Sequence, residues 1–500
     1  MRSLTFSSTL IGIEAHLVGV EVVVSNGLPG LTVVGLPDAA VSEAGARVRS
    51  ALKLTGVNLP PRRMVVNLAP ADLRKTGSGF DLALALGLLE AMGEIPQGIL
   101  QDCLVVGELS LAGEVRGVRG VVCSLTLARR TERISRILLP ACQIGELPQW
   151  SDIEVVPIEN LEQAMRYCRG EVALESTPSS VMSSPKTAVS NDLRDVRGQA
   201  LAKLGLEIAA AGGHHLALSG PPGCGKSLLA SCLPGLLPPM TEWEVAEVAA
   251  IASVCQERTD SRVRPFRAPG NGISSAALLG GHQPGEVTRA HRGVLFLDEF
   301  PEFRRDSLEA LRVVLEEGQV KISRARFRTI YPAHFTLVCA MNPCPCGRFG
   351  VAGEICICTP NQVQRYRSKL SGPLLDRFDL LVSLTRVPLV ESSEVEAEES
   401  SEAVAQRVSD ARKLQADRGF LNRDLRGPNL LQALGWKNQD RTFAYQLAEN
   451  SRLSMRAFEK WLRVARTVAD LKQAESVSRR ELLIARSVRF SVDAEESLVS

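Results

Sequence analysis

A glycine-rich turn that ends in a lysine and a serine is the segment of the sequence with the clearest chemistry. The apolar run at residues 216–219 leads into it, and the helix-forming run LLASCLPGLL follows it. This order of strand, turn and helix is typical of a P-loop, in which backbone N–H groups surround phosphates, the lysine reaches the β and γ oxygens and the serine hydroxyl ligates Mg²⁺. The sequence therefore predicts an ATP and Mg²⁺ site formed by Gly220, Pro221, Pro222, Gly223, Cys224, Gly225, Lys226 and Ser227.

Two carboxylates follow a second apolar run, GVLFLDEF at residues 293–300. Such a run is typical of a parallel strand buried on both faces, and ligands bind at the carboxyl ends of these strands. We expect Asp298 to hold Mg²⁺ and Glu299 to polarise an attacking water. A third apolar run, at 335–341, ends at Asn342, whose amide would position water or the γ-phosphate. The candidate catalytic set read from these strand ends is Lys226, Asp298, Glu299 and Asn342.

Four of the twelve cysteines lie within 15 residues, and these are Cys344, Cys346, Cys356 and Cys358. Four thiolates can ligate a structural Zn²⁺, and they leave no open position for water. The C-x-C spacing is tighter than is usual in zinc sites, so a packed or disulfide-capable set is the alternative. The other eight cysteines are scattered, and we expect them to be reduced thiols of a cytoplasmic protein.

The composition is that of a folded chain of about three domains. The 500 residues are 45% apolar, which excludes a disordered tail. The N-terminus lacks the continuous apolar core of a signal peptide, and no run reaches the 18 or more apolar residues of a membrane span. We therefore expect a cytoplasmic protein without a membrane partner. The net charge of +2 gives no sign of polyanion binding, so any nucleic-acid surface must be local.

Two changes of composition divide the chain. Residues 171–192 are rich in Ser, Thr and Pro, as a flexible linker is, and residues 391–402 carry many Glu and no base, as a solvated spacer does. The predicted domains are therefore 1–170, 193–390 and 403–500. The last of these is helical in pattern and locally rich in Lys and Arg.

The segment at residues 318–330 alternates in the manner of a β-hairpin just before the third apolar strand. Its bases are Lys321, Arg324, Arg326 and Arg328. Such a hairpin could follow DNA phosphates in a pore, a contact that carries charge but no sequence information. A solvated strand face explains the same pattern equally well.

The chain resembles the ComM/YifB group of magnesium-chelatase-like AAA+ proteins over nearly its whole length. The motifs that carry the resemblance are DVRGQALAKLGLEIAAAGGHHLALSGPPGCGKS at 195–227, PGEVTRAHRGVLFLDEF at 284–300, MNPCPCG at 341–347 and SGPLLDRFDL at 371–380. The resemblance implies an α/β multidomain chain with a central AAA+ P-loop domain and a C-terminal helical lid. It also implies an ATPase that forms a homo-oligomeric ring, usually a hexamer, with active sites shared between neighbours.

Further site residues and a DNA substrate come from this resemblance alone. Arg377 matches the arginine finger that reaches a neighbour's γ-phosphate, and Arg456 matches the sensor arginine of the lid. The implied function is a DNA helicase that promotes branch migration during natural transformation, acting on single-stranded or branched DNA. A metal-insertion or chaperone ATPase akin to the magnesium chelatase subunit is the alternative.

One stretch departs from the family pattern. Residues 265–283 resemble the helix-2 insertion of ring helicases and chelatases. This chain has Gly270, Asn271 and Gly272 where the family usually has paired histidines, so no role of those histidines can be carried over.

Residues 1–170 resemble the Lon-protease-like α+β fold of the ribosomal S5 type. Active Lon domains use a Ser and Lys pair. The position of the nucleophile falls near Gly79, beside Ser78, and that of the lysine falls near Val122. We therefore expect a non-proteolytic scaffold or a module that faces DNA. An active peptidase with Ser78 as its nucleophile is the rival interpretation.

Overall fold

The computed structural model describes residues 1–148, 150, 152–174, 191–257, 260, 262–324, 327–351, 353–386 and 398–489. Most of the predicted linker and the first part of the acidic spacer lie outside these ranges. Within them, no helix combines the length and apolarity that crossing a membrane requires.

The N-terminal region is a mixed seven-stranded sheet with four helices. Its elements are β1 (Arg2–Ile11), β2 (Glu14–Ser25), β3 (Gly30–Val34), α1 (Ala39–Leu54), β4 (Arg63–Ala69), α2 (Asp81–Met92), β5 (Cys103–Val105), β6 (Glu108–Leu109), β7 (Val115–Arg116), α3 (Val121–Arg130), β8 (Arg136–Pro140), β9 (Glu154–Ile158) and α4 (Leu161–Cys168). The strand order is β3-β4-β2-β1-β5-β8-β9, and β6 pairs with β7 separately. Alternate valines of β2, such as Val20 and Val22, are buried, and the almost wholly buried α2 packs on β1 and β2.

The central region is built on a five-stranded parallel sheet. Its elements are α5 (Ala200–Gly212), β10 (Leu216–Ser219), α6 (Lys226–Leu236), α7 (Glu242–Cys255), β11 (Phe266–Arg267), α8 (Ser275–Leu279), α9 (Glu286–Arg289), β12 (Val294–Leu297), α10 (Arg305–Glu317), β13 (Gln319–Arg324), β14 (Phe327–Pro332), β15 (Thr336–Met341), α11 (Pro360–Arg367), α12 (Gly372–Leu375) and β16 (Leu380–Ser383). The order is β11-β12-β15-β10-β16.

The three apolar runs of the sequence are three adjacent strands of this sheet. Strand β15 lies between β12 and β10, and all three are parallel and wholly buried. Their carboxyl ends therefore meet at one edge, as the sequence predicts. The segment 265–283 contains β11 and the short helix α8. The predicted hairpin is also present, since β13 pairs antiparallel with β14.

Five helices follow the central sheet and share its core. They are α13 (Ser401–Asp417), α14 (Gly427–Leu434), α15 (Asn438–Asn450), α16 (Met455–Leu471) and α17 (Arg479–Arg489). Trp461 of α16 is buried in one apolar cluster with Leu206 of α5 and Val382 of β16. The C-terminal helices are therefore packed on one face of the sheet.

The end of the acidic spacer differs from the expected solvated segment. Glu398 accepts a hydrogen bond from the Gly198 N–H at 2.8 Å and pairs with Lys203 at 2.5 Å, and Ser400 caps α13. A segment rich in Glu and Ser is expected to be solvated when no partner stands near it in the sequence. Here the partner of Glu398 lies about 200 residues earlier in the chain, so the sequence gives no sign of the contact.

The N-terminal region contacts the central region through α3 and α7. The Gly120 N–H donates to the Ser253 carbonyl at 3.2 Å, and Ala249 lies in the same apolar cluster as Val121 and Leu125. The two regions are thus joined by packing as well as by the chain.

Candidate functional site

The glycine-rich turn lies between β10 and α6. Gly225 precedes the helix with φ of 89°, a left-handed conformation that glycine adopts without strain. Helix α6 begins at Lys226 and carries no acidic residue in its first turn. Its first N–H groups and the positive end of its dipole therefore form a site suited to an anion.

Lys226 is held at the mouth of this turn. Its ammonium donates to the carbonyls of Gly220 at 2.8 Å and Pro221 at 2.9 Å, and to Oδ1 of Asn342 at 3.1 Å. Burial lowers the pKa of the ammonium. The structure therefore brings together a lysine and an asparagine that are 116 residues apart.

Two oxygen ligands suited to a hard cation meet beside the turn. The Ser227 hydroxyl donates to Oδ2 of Asp298 at 2.8 Å, and Asp298 directly follows β12. Mg²⁺ is usually bound through one or two carboxylates and phosphate oxygens, with waters completing its octahedron. The donor atoms present here fit that ion.

Glu299 is held in an unusual backbone conformation next to Asp298. Its φ is 51°, and its N–H donates to Oδ1 of Asp298 at 2.9 Å. Its carboxylate accepts a hydrogen bond from Nδ2 of Asn271 at 2.8 Å. Sequence reasoning noted Asn271 only as a departure from the family pattern, and no local signal indicates that it reaches a residue 28 positions later.

Gln199 is a second residue that sequence reasoning did not assign. Its side chain donates to the Cys224 carbonyl at 3.4 Å and to the Thr385 carbonyl at 2.5 Å, so it joins the glycine-rich turn to the segment after β16. Gln199 is the last residue of the motif DVRGQ, and the motif by itself does not predict this contact.

The structure does not place the two predicted arginines at the glycine-rich turn. Arg377 and Arg456 line a separate cleft, together with Lys460 and Arg463 of α16. Arg377 pairs with Glu316, and its Nε and Nη1 atoms are buried with no hydrogen-bond partner among the described residues. Within one chain, this cleft contains no residue of 220–227.

The four clustered cysteines do converge. Their Sγ atoms all lie within 4.8 Å of one another, in the loop between β15 and α11. All four are free thiols, as are the eight scattered cysteines.

The hairpin presents two described bases to solvent. Lys321 is exposed and pairs with Glu317 of α10 at 2.7 Å, and Arg328 is exposed on β14. The side chain of Arg324 and the whole of Arg326 lie outside the described part of the chain.

The N-terminal residues considered for peptidase chemistry bond to other groups. The Ser78 hydroxyl donates to Glu108, and the buried Lys75 donates to the Pro70 carbonyl. Val122 is buried in α3, with its N–H directed to Oγ of Ser253. Val122, which the resemblance places near the lysine position of a Ser and Lys pair, is thus a buried apolar residue.

A parallel sheet in this order is typical of a P-loop NTPase of the AAA+ type, because the P-loop follows β10, Asn342 follows the neighbouring β15, and the carboxylates follow β12 on the other side of β15. Comparison with known families agrees. Residues 192–392 match the family described as magnesium chelatase, subunit ChlI, residues 20–143 match subunit ChlI of Mg-chelatase, and residues 398–489 match the ChlI C-terminal family.

Full-length relatives identify the particular family. The chain is 42% identical over 487 residues to the uncharacterized protein YifB of Salmonella typhimurium, covering 96% of this chain and 95% of that protein. It is 39% identical over 506 residues to the competence protein ComM of Haemophilus influenzae, covering 98% of each. The chain therefore belongs to the ComM/YifB family of magnesium-chelatase-like AAA+ proteins, which confirms the resemblance seen in its motifs.

A more distant similarity links the chain to a replication protein. It is 24% identical over 328 residues to the DNA replication licensing factor mcm7-B of Xenopus laevis, covering 62% of this chain and 41% of that protein.

Proposed function

We propose that the chain is an Mg²⁺-dependent AAA+ ATPase that assembles into a ring, a hexamer by family resemblance, and uses hydrolysis to move on DNA. The observation that carries the ATPase part is the meeting of Lys226 with Asn342, and of Ser227 with Asp298, at one edge of the sheet. Family membership supports the same activity.

Each strand-end residue has a defined role in this proposal. Lys226 binds the β and γ phosphate oxygens in place of the carbonyls it now contacts, and Asn342 orients the γ-phosphate or water. Ser227 and Asp298 would hold Mg²⁺, which neutralises phosphate charge when bound. Glu299 accepts a proton from the attacking water, and the hydrogen bond from Asn271 to Oε2 holds its carboxylate in position.

We assign Arg377 and Arg456 to the site of a neighbouring copy. They share a cleft that is separate from the P-loop, and the buried nitrogens of Arg377 lack partners. An arginine supplied by a neighbour would neutralise transition-state charge, which is the role of an arginine finger. The role of Arg456 as the sensor arginine of the lid stays a prediction.

The proposed substrate is single-stranded or branched DNA, and the proposed process is branch migration during natural transformation. One relative is named a competence protein and another a DNA replication licensing factor. The exposed bases Lys321 and Arg328 on the hairpin suit phosphate contact.

We further propose the domain limits 1–170, 193–390 and 403–500. The first domain would be a Lon-like scaffold without peptidase activity, supported by the buried Val122 at the lysine position. The last would be the lid.

The DNA proposal is tested with purified protein, forked DNA and a four-way junction. We expect ATP turnover to rise with DNA and the junction to migrate. Normal ATPase activity with no response to branched or single-stranded DNA would show that the DNA proposal is wrong.

A matched pair of variants tests the hairpin. Lys321→Ala should weaken DNA binding and lower its salt dependence by about one counterion. Lys413→Ala is the control, because Lys413 is also exposed and also pairs with a nearby carboxylate on a helix, Asp410 at 3.0 Å. Equal salt dependence for both variants would exclude the hairpin from the DNA contact.

A metal-insertion ATPase is the second candidate, since three families described as magnesium chelatase subunits match the chain. Stimulation of ATP turnover by a porphyrin and not by DNA would favour it.

A further inference from the structure

The loop between β15 and α11 contains four thiols arranged like a ligand set. The Sγ atom of Cys344 lies 3.4 Å from that of Cys346 and 3.8 Å from that of Cys356, and the last two sulfurs are 3.6 Å apart. Four thiolates about 2.3 Å from a tetrahedral Zn²⁺ are separated by about 3.8 Å. A disulfide needs about 2.05 Å. The spacing of these three sulfurs is therefore that of ligands around an ion, and the Cys358 sulfur lies within 4.8 Å of each of them.

The same loop has little apolar material to hold it in shape. Ile355 and Ile357, the two neighbours of Cys356, are 82% and 77% exposed. Of the four cysteines, only Cys344 is fully buried. Apolar side chains point outward while thiols converge, so hydrophobic burial does not explain the fold of this loop. Metal ligation folds such segments directly.

A backbone contact orients the sulfur of Cys344. The Phe349 N–H donates to its Sγ atom at 3.3 Å. The Arg367 guanidinium of α11 lies 4.7 Å from the centre of the Phe349 ring, which places a positive charge beside this part of the loop. Hydrogen bonds of this kind orient metal ligands and adjust their basicity.

The loop is also a wall of the nucleotide site. Cys344 comes two residues after Asn342, which contacts Lys226. Gly347, at φ of 77°, lies against Pro222 of the glycine-rich turn, and a Cβ atom added there would be 2.4 Å from Cδ of that proline. A change in the shape of the loop would therefore move groups on two sides of Lys226.

We propose that Cys344, Cys346, Cys356 and Cys358 bind one thiophilic divalent cation of the Zn²⁺ class. The bound ion keeps Asn342 and the wall against Pro222 in the arrangement that nucleotide binding requires. Four sulfur donors favour such an ion over Mg²⁺, and a complete set of four makes the site structural. The coupling to nucleotide rests on the proposed ATP site, whereas the metal site does not.

The metal site is tested by metal analysis of the purified full chain. We expect about one Zn²⁺ per chain, and Co²⁺ substitution should give the absorption of a tetrahedral tetrathiolate complex. The double variant Cys356→Ser/Cys358→Ser should lose the metal, and Cys142→Ser, at an exposed isolated cysteine, should keep it. A full chain that takes up neither ion, or a double variant with parental metal content, would overturn the site.

The coupling is tested by removing the metal from the parental chain with a chelator. The affinity for a fluorescent ATP analogue should fall by about tenfold or more and return when Zn²⁺ is added back. Unchanged affinity without metal would overturn the coupling. A metal-loaded chain that binds no nucleotide would contradict the proposed ATPase and leave the metal site standing.

A pair of glycine variants keeps the test valid if metal removal unfolds the protein. Gly347→Ala retains all four thiols, and we expect it to keep the metal and weaken nucleotide binding. Gly350→Ala is the matched control, because its φ of 73° imposes similar backbone strain and its Cβ would contact nothing within 4 Å. Equal nucleotide affinity in both variants would show that the loop does not support the P-loop.

Discussion

Two segments of the chain bring a lysine, a serine and glycines to the start of a helix, and the two helix starts have different anion partners. In the N-terminal region, residues 75–80 lead into α2, whose first residue is Asp81. The Asp81 carboxylate is fully buried, pairs with Arg47 at 2.6 Å and accepts a hydrogen bond from the Leu109 N–H at 3.2 Å. The first residue of this helix is therefore a carboxylate that pairs within the protein, with Arg47 and the Leu109 N–H.

The segment before α6 leaves the equivalent place to a ligand. No acidic residue stands in the first turn of the helix, and the Lys226 ammonium is held by backbone carbonyls and an amide oxygen. A helix N-terminus attracts whichever anion is present. In this comparison, the internal carboxylate distinguishes the structural turn from the proposed phosphate site.

The largest expected effect is a loss of ATP turnover when Lys226 is replaced, with Lys75 as the comparison. Lys226→Ala should lower ATP turnover by about 10²- to 10³-fold, because it removes a charge aimed at the phosphates. Lys75→Met should leave the turnover of folded protein within about twofold, since the Lys75 ammonium donates to the Pro70 carbonyl within the N-terminal region. Steady-state ATPase assays on both variants measure this, and equal losses would contradict the comparison.

A second variant, at Glu299 after β12, separates ATP binding from ATP hydrolysis. Glu299→Gln should lower turnover by about 10²-fold or more, because a neutral amide cannot accept the proton of water. ATP affinity should stay near the parental value, since phosphate binding is left to Lys226. Turnover at the parental rate would remove Glu299 from the catalytic set.

The structural turn should respond through stability and not through catalysis. Asp81→Ala leaves Arg47 without its carboxylate partner and the Leu109 N–H without its acceptor, and we expect a loss of about 3 kcal/mol. Thermal unfolding measures this, with Asp72→Ala at an exposed carboxylate as the control. Equal melting temperatures for the two variants would show that Asp81 does not hold this turn.

The smallest expected effect is at Ser78. Removing its hydroxyl loses one hydrogen bond to Glu108 and should cost about 1 kcal/mol. ATP turnover should not change, and neither parental protein nor Ser78→Ala should cleave casein or peptides. Cleavage that disappears in Ser78→Ala would favour the peptidase alternative.

Local features of this protein were predictable from its sequence. The P-loop, the three apolar strands and the hairpin at 318–330 each have a signal within about a dozen residues, because turn chemistry and side-chain period act over short distances. The shared edge of the parallel strands also followed, and with it the proximity of Lys226 to Asn342. The family followed from motifs of the same local kind, and full-length relatives confirm it.

Contacts between distant residues were decided by the tertiary structure alone. Asn271 reaches Glu299, Glu398 joins Lys203, and Arg377 lies beside Arg456 in a cleft away from the P-loop. The sequence determined which residues could bind phosphate, magnesium or a thiophilic metal. Only tertiary packing decided which of these residues contact one another. The partner of a polar side chain depends on the residues that the fold brings next to it, and the neighbouring positions in the sequence do not indicate that partner.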